Sequence, residues 1–238
     1  MQSKEEIIES LLANAPADVE IEVDLPSEGR VYNLDESNGP ITLRPMNFDD
    51  EKSILASPNS DPINTILQRC LKNIKVHDLL PMDKLYLIMK LREISYGNDY
   101  SCLLICPKCS AENPTTVLLS DLPVNPVPDD FQDPIKITLP KIGKEATVKL
   151  PRVRDEQSFS DGTWTDSLWR FVVSIDEYTD KSIISEVINK LPLVDVKTIV
   201  AAITTTYGVE TKVKLQCGSC GGASVVDLPI GANFFGVS

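Results

Sequence analysis

Residues 80–109, LPMDKLYLIMKLREISYGNDYSCLLICPKC, and residues 191–220, LPLVDVKTIVAAITTTYGVETKVKLQCGSC, align over thirty positions without a gap. Leu-Pro opens each segment, the tyrosine of Tyr-Gly follows sixteen residues after the leucine, and a Cys-x-x-Cys pair begins ten residues after that tyrosine. An internal repeat constrains a fold more than any local propensity, because one unit then has to serve twice. Upstream, VDLPSEGRVYN and ITLRPMNFDDEKSIL parallel ITLPKIGKEATVKLPRVRDEQSF, with an insertion near LDESNG (34–39) in the first copy. Both copies run into Asp-Leu-Pro, at Asp121 and Asp227. The pattern predicts an α+β chain of two duplicated helix-plus-β-hairpin lobes. Its parts are an N-terminal amphipathic helix (1–20), a first lobe (21–123), a Pro-rich acidic linker (124–134), a second lobe (135–229) and a C-terminal tail (230–238).

Within each copy the spacing predicts a strand pair, helices and a closing hairpin. Pro81 and Pro192 suit a helix first turn, where no amide donor is needed. Val196, Ile199, Val200 and Ile203 follow the i, i+3, i+4, i+7 rule of a buried helix face. In the first copy Asp83, Lys90 and Glu93 are expected on the polar face, leaving Leu85, Ile88, Met89, Leu91 and Ile94 for the core. Gly97 and Gly208 are placed as helix stops. YSCLLIC and TKVKLQC then read as strands, and each Cys-x-x-Cys falls at a hairpin tip.

A hairpin tip can present two sulfurs to one ion, and two such knuckles complete a tetrahedral four-cysteine site. The repeat supplies both, so the predicted metal ligands are Cys106, Cys109, Cys217 and Cys220. The joint is zinc-ribbon-like and the ion structural, because four protein thiolates leave no open position for water or substrate. A redox pair, disulfides and rubredoxin-like iron are the alternatives; the redox motif fits least, since it opens a helix rather than joining strands. Cys70 and Cys102 read as core or strand residues.

The remaining composition excludes more than it suggests. The chain has one histidine, His77, which leaves little triad chemistry, and it carries neither a Gly-rich phosphate loop nor a catalytic cluster. No enzyme and no small-molecule substrate is expected. Net charge is −12, so nucleic acid is an unlikely partner despite Lys108, Lys212 and Lys214 near the knuckles. No apolar run is long enough to span a bilayer. Glu5, Glu6 and Glu9 interrupt the N-terminal apolar stretch, which reads as no signal peptide and points to a reducing compartment. Asp49–Glu51 reads as a helix first turn. Two ends invite partners: Ile7, Ile8, Leu11 and Leu12 make an apolar stripe, and Phe234 and Phe235 are equally suited to a core or to a partner.

LPSEGRVY, ITLRPMNFDDEKSILASP, INTILQRCLKNI and LREISYGNDYSCLLICPKCSAENPTTVLLSDLPV resemble the baseplate hub proteins of T-even-type contractile-tailed phages. The resemblance covers residues 20–123 directly and the second half through the repeat. It implies a hub protein that binds other hub or tail proteins, located in the virion tail baseplate and in the host cytoplasm during assembly. It carries over no catalytic residue. An assembly chaperone absent from the mature virion, and a nucleic-acid-binding zinc-ribbon regulator, are the competing functions.

Overall fold

In the computed structural model the described residues are 3–12, 20–32, 39–55, 61–156, 164–204 and 207–235. Most of the insertion expected near 34–39 lies outside them. The N-terminal stripe forms helix α1 (Lys4–Leu12), whose Ile7, Ile8, Leu11 and Leu12 remain exposed.

The first half builds strands β1 (Ile21–Glu22) and β2 (Thr42–Leu43), helices α2 (Phe48–Leu55) and α3 (Pro62–Cys70), strand β3 (Leu71–Lys72) and helix α4 (Pro81–Tyr96). Strands β4 (Asp99–Ile105) and β5 (Glu112–Leu118) close it as an antiparallel hairpin. Strand β6 (Val124–Asn125) follows. The second half builds β7 (Ile135–Leu139), β8 (Lys144–Val148), α5 (Trp164–Ser167), β9 (Val172–Ile175), α6 (Lys181–Lys190) and α7 (Leu193–Ile203). Strands β10 (Gly208–Val209), β11 (Lys212–Gln216) and β12 (Ala223–Asp227) complete it. The sheets β1-β2-β3 and β7-β8-β9 are both antiparallel and have the same strand order. Helix α6 has a 3-10 turn, Val76–Asp78, in its place in the first half.

Several local devices recur in both halves. The turn after Leu25-Pro26 and the turn after Leu139-Pro140 each place a glycine at positive φ, Gly29 at 69° and Gly143 at 66°, where a Cβ would be strained. In each half the amide two residues after that leucine donates to an aspartate in the first turn of the long helix. Ser27 N bonds Asp83 Oδ1 at 3.0 Å, and Lys141 N bonds Asp195 Oδ1 at 2.7 Å. Both aspartates are completely buried. Asp83 is therefore not on the polar face of α4, as the periodicity suggested. It also accepts from Ser27 Oγ at 2.6 Å and from the Tyr32 hydroxyl. Burial, which outweighs these bonds, raises the Asp83 carboxyl above its ordinary range.

Two helix ends differ from expectation. Pro81 sits in the first turn of α4, but Pro192 is the residue before α7. Gly97 ends α4 with φ 92°, its amide bonding Glu93 O at 2.9 Å. Gly208, with φ 94°, is not a helix stop: it lies in β10, where a Cβ would come within 3.0 Å of Met82 Cβ. Close approach of backbone to α4 explains that glycine.

The halves interlock. Strand β6, from the start of the linker, pairs antiparallel with β10 of the second half. Glu210 N bonds Pro123 O at 2.8 Å, and Tyr100 Oη bonds Pro229 O at 2.7 Å, so each half reaches the Asp-Leu-Pro of the other. One core gathers Leu43, Leu67, Leu87 and Leu91 of the first half with Leu228, Phe234 and Phe235 from the chain's end. A second core holds Leu139, Val148, Phe171, Ile184 and Ile199. Phe234 and Phe235 are each 1% exposed; Phe234 meets Tyr100 edge-on at 4.7 Å between centroids, and Arg92 Nε bonds Phe234 O at 2.9 Å. The two phenylalanines are core residues, not a free anchor.

The acidic run at the start of α2 has a second use. Asp50, with its side chain fully buried, accepts a two-pronged pair from Arg44 at 2.7 and 3.0 Å and a bond from Arg69 Nε at 2.7 Å. Burial alone would push its pKa up; the Arg44 and Arg69 guanidiniums and the Asn47 amide outweigh that and hold the carboxyl well below the usual range.

Phe235→Ala should cost about 3–5 kcal/mol of stability, as buried phenylalanine truncations do, measured by urea unfolding; a cost within the noise would place the ring outside the core. A carboxyl with a lowered folded pKa stabilises above its unfolded value near ~4 and loses that contribution as pH falls through the folded value. Acid unfolding should therefore lose much of its slope below roughly pH 4 in Asp50→Asn, which is also less stable at neutral pH. An unchanged acid slope in that variant would remove Asp50 from the account.

Candidate metal centre

The two knuckles are built alike. In the first, Cys106 N bonds Ala111 O at 3.0 Å and Ser110 N bonds Cys106 O at 2.8 Å, with Ser110 at φ 59°. In the second, Cys217 N bonds Gly222 O at 3.0 Å and Gly221 N bonds Cys217 O at 3.0 Å, with Gly221 at φ 67°. Each turn curls the chain so that both cysteines of a pair face the same point.

Those points coincide. The four sulfurs of Cys106, Cys109, Cys217 and Cys220 all lie within 4.8 Å of one another. Cys106 Sγ to Cys220 Sγ is 3.8 Å, and Cys109 Sγ to Cys217 Sγ is 3.6 Å, both pairs crossing between hairpins. A tetrahedron with metal–sulfur bonds of ~2.3 Å has edges of ~3.8 Å. A disulfide would need ~2.05 Å, and all of these cysteines are free. Cys106 and Cys217 are buried while Cys109 and Cys220 are exposed, so the cluster has one face on the core and one at the surface. Beneath it Leu104 and Leu215 pack between the hairpins.

The thiols are unequal. The amides of Lys108 and Cys109 point at Cys106 and lower its pKa. The amides of Cys220 and Ser219 do the same to Cys217, down to about 6. Cys109 accepts from the Ala111 amide, which lowers it, but the crowding sulfurs of Cys220 and Cys217 outweigh this and push it up to about 12. Four sulfurs this close cannot all be anionic without a cation between them. Soft donors in tetrahedral array fit zinc, and fit iron by geometry alike. All four positions are protein thiolates, which suits a structural ion.

One residue the cysteine spacing did not flag joins the knuckles. Asn113 is buried on β5; its Nδ2 donates to Ala111 O at 2.9 Å, and its Oδ1 accepts from Gly218 N at 2.9 Å across the joint. The corresponding residue 111 positions on is Ser224, and its mate across the joint would be Pro107. Proline has no amide hydrogen, so the return bond cannot form. Among the described residues the buried Ser224 Oγ accordingly has no partner. The signal was present in the alignment as Pro107 against Gly218.

The other candidates stand apart. Cys70 is buried beside Asp50; burial foremost, then the Asp50 charge, pushes its thiol up to about 12, leaving it unreactive. Cys102 packs between the hairpins. His77 is half-exposed, 3.5 Å from Asp78 and remote in sequence from the cluster. Lys108, Lys212 and Lys214 are exposed. No helix among the described residues is long and apolar enough to cross a membrane.

Protein purified without chelator should carry about one zinc per chain. Cys106→Ser and Cys217→Ser should each lose the metal and lower the melting temperature by about 10 °C or more, as should a strong chelator. Metal-free wild-type protein that melts at the temperature of the metal-loaded form would contradict a structural ion.

Comparison with known proteins adds the family. No curated protein and no solved structure matches this chain. The family model described as T4 bacteriophage base plate protein matches residues 17–236. That span includes both knuckles and every described strand, and the chain therefore belongs to the T4 bacteriophage base plate protein family, a family of structural proteins.

Proposed function

We propose that this chain is a structural and assembly subunit of a phage tail baseplate hub. It works by binding other hub or tail proteins, and a zinc ion on Cys106, Cys109, Cys217 and Cys220 locks its two halves together. Family membership supports the baseplate; the convergence of four thiolates from two hairpins at tetrahedral spacing carries the zinc. The halves are two copies of one unit, first lobe 21–123 and second lobe 135–229. Support comes from the shared sheet order, the paired Leu-Pro turns and the two buried first-turn aspartates. A duplicated unit that meets itself through a metal has few independent motions, which suits a part that must present a fixed surface.

The apolar stripe of α1 is left open for a partner. Helices of this kind bind by laying their apolar face in a groove. The C-terminal phenylalanines belong to the subunit's own fold.

Quantitative mass spectrometry of purified virions tests the subunit reading against a chaperone. The subunit should be present at a fixed ratio to other baseplate proteins. Its absence from particles, together with its presence in assembly intermediates, would make it a chaperone instead.

A further inference from the structure

The two hairpins share one hydrogen-bond phase and differ in what they leave open. In β4–β5, Cys106 N bonds Ala111 O and Leu119 N bonds Asn98 O. Antiparallel pairs alternate, so Asp99↔Leu118, Ser101↔Thr116, Leu103↔Pro114 and Ile105↔Glu112 are the non-hydrogen-bonded pairs. Pro114 agrees with this, having no amide hydrogen to give. The backbone groups of Ser101, Leu103 and Ile105 therefore point away from the ladder, and among the described residues their amides have no partner. Leu103 is 51% and Ile105 52% exposed.

The second hairpin is an internal control. Its bonds Cys217 N to Gly222 O and Leu228 N to Thr211 O set the same phase. The matching outward positions on β11, 111 residues on, are Lys212, Lys214 and Gln216. The Lys212 amide is moreover taken by Glu210 Oε1 at 3.1 Å. Lysines along an edge guard against strand addition, and a proline does the same for β5. The edge of β4 has neither guard.

We propose that the open edge of β4 is a docking site for an extended strand of another baseplate protein. The strand adds to the β4–β5 sheet through backbone bonds at Ser101, Leu103 and Ile105 and sets alternate apolar side chains beside Leu103 and Ile105. A groove of about 690 Å³ beside Ser101, Cys102 and Leu103, bounded by Pro229, Ile230 and Gly231, gives it a bed. Charge selects the occupant. Asp99 and Glu112 stand exposed at the two ends of the outward face, and neither has an ion-pair partner among the described residues. A strand with Lys or Arg near its ends meets them; a second copy of this chain, net −12 and presenting the same carboxylates, does not.

This site rests on the baseplate reading, and the test separates the two. The full chain is tagged, co-expressed with the other tail proteins and purified. In S101K/L103K/I105Q the β4 edge takes the side chains that β11 already carries. The variant should keep its metal content and melting temperature and lose co-purifying tail proteins at least ~10-fold. In the wild-type complex, hydrogen exchange at Leu103 and Ile105 should slow at least ~10-fold relative to the free chain. If the variant loses its metal, the exchange measurement on the wild type decides alone. Equal association of the folded variant, or unprotected amides in the complex, overturns the docking site and leaves the baseplate reading standing. A free wild-type dimer that the variant converts to monomer assigns the edge to a second copy and overturns the proposed occupant. A wild-type chain that co-purifies with no tail protein overturns both.

Discussion

The joint between the two hairpins is where the rest of this structure is held. Four sulfurs from residues more than a hundred positions apart meet at 3.6–3.8 Å across the joint. Without a cation, anionic sulfurs at that spacing repel and protonated ones gain little from one another. With one, the same spacing is the edge of a metal tetrahedron. Everything near the joint is arranged to hold that geometry: matched knuckle bonds, the Asn113 clamp, and Leu104 against Leu215 below. For an ion held there, binding and folding would be one equilibrium.

The interlock outside the joint follows the same logic. Each half borrows from the other: β6 pairs with β10, Tyr100 bonds Pro229 O, and Phe234 and Phe235 fill the core beneath α4. The result is a subunit in which the second half closes the first. The two hairpins share one hydrogen-bond phase and differ in the side chains they expose. Leu103 and Ile105 occupy positions that Lys214 and Gln216 fill in the other hairpin. On the proposed reading, two hairpins alike in frame and unequal in face offer a partner one face and deny it the other.

The cysteine joint was legible because ligand spacing and a gapless repeat are chemical facts independent of packing. The core face of α7 was legible for the same reason, from helical period alone, whereas on α4 the period gave Ile88, Met89 and Leu91 but missed the buried Met82 and Leu87. Three things were not. Asp83 looks polar on a helical wheel, yet it is buried, because its partners Ser27 and Tyr32 come from a turn far away in sequence. Gly208 looks like a helix stop because Gly97 is one; its reason is the approach of α4 through Met82. The burial of Phe234 and Phe235 depends on a cavity made by α4 and β4, which no local pattern reports. Local chemistry reads out of a sequence; the far partner that satisfies it does not.

The central claim is that one metal ion, bound only by sulfur, unites the halves. X-ray absorption at the zinc edge of the purified full-length protein tests it most directly. The account predicts a single shell of four sulfurs at ~2.3 Å, lost in Cys217→Ser. Nitrogen or oxygen ligands in the first shell, or a four-sulfur spectrum that survives loss of Cys217, would contradict it.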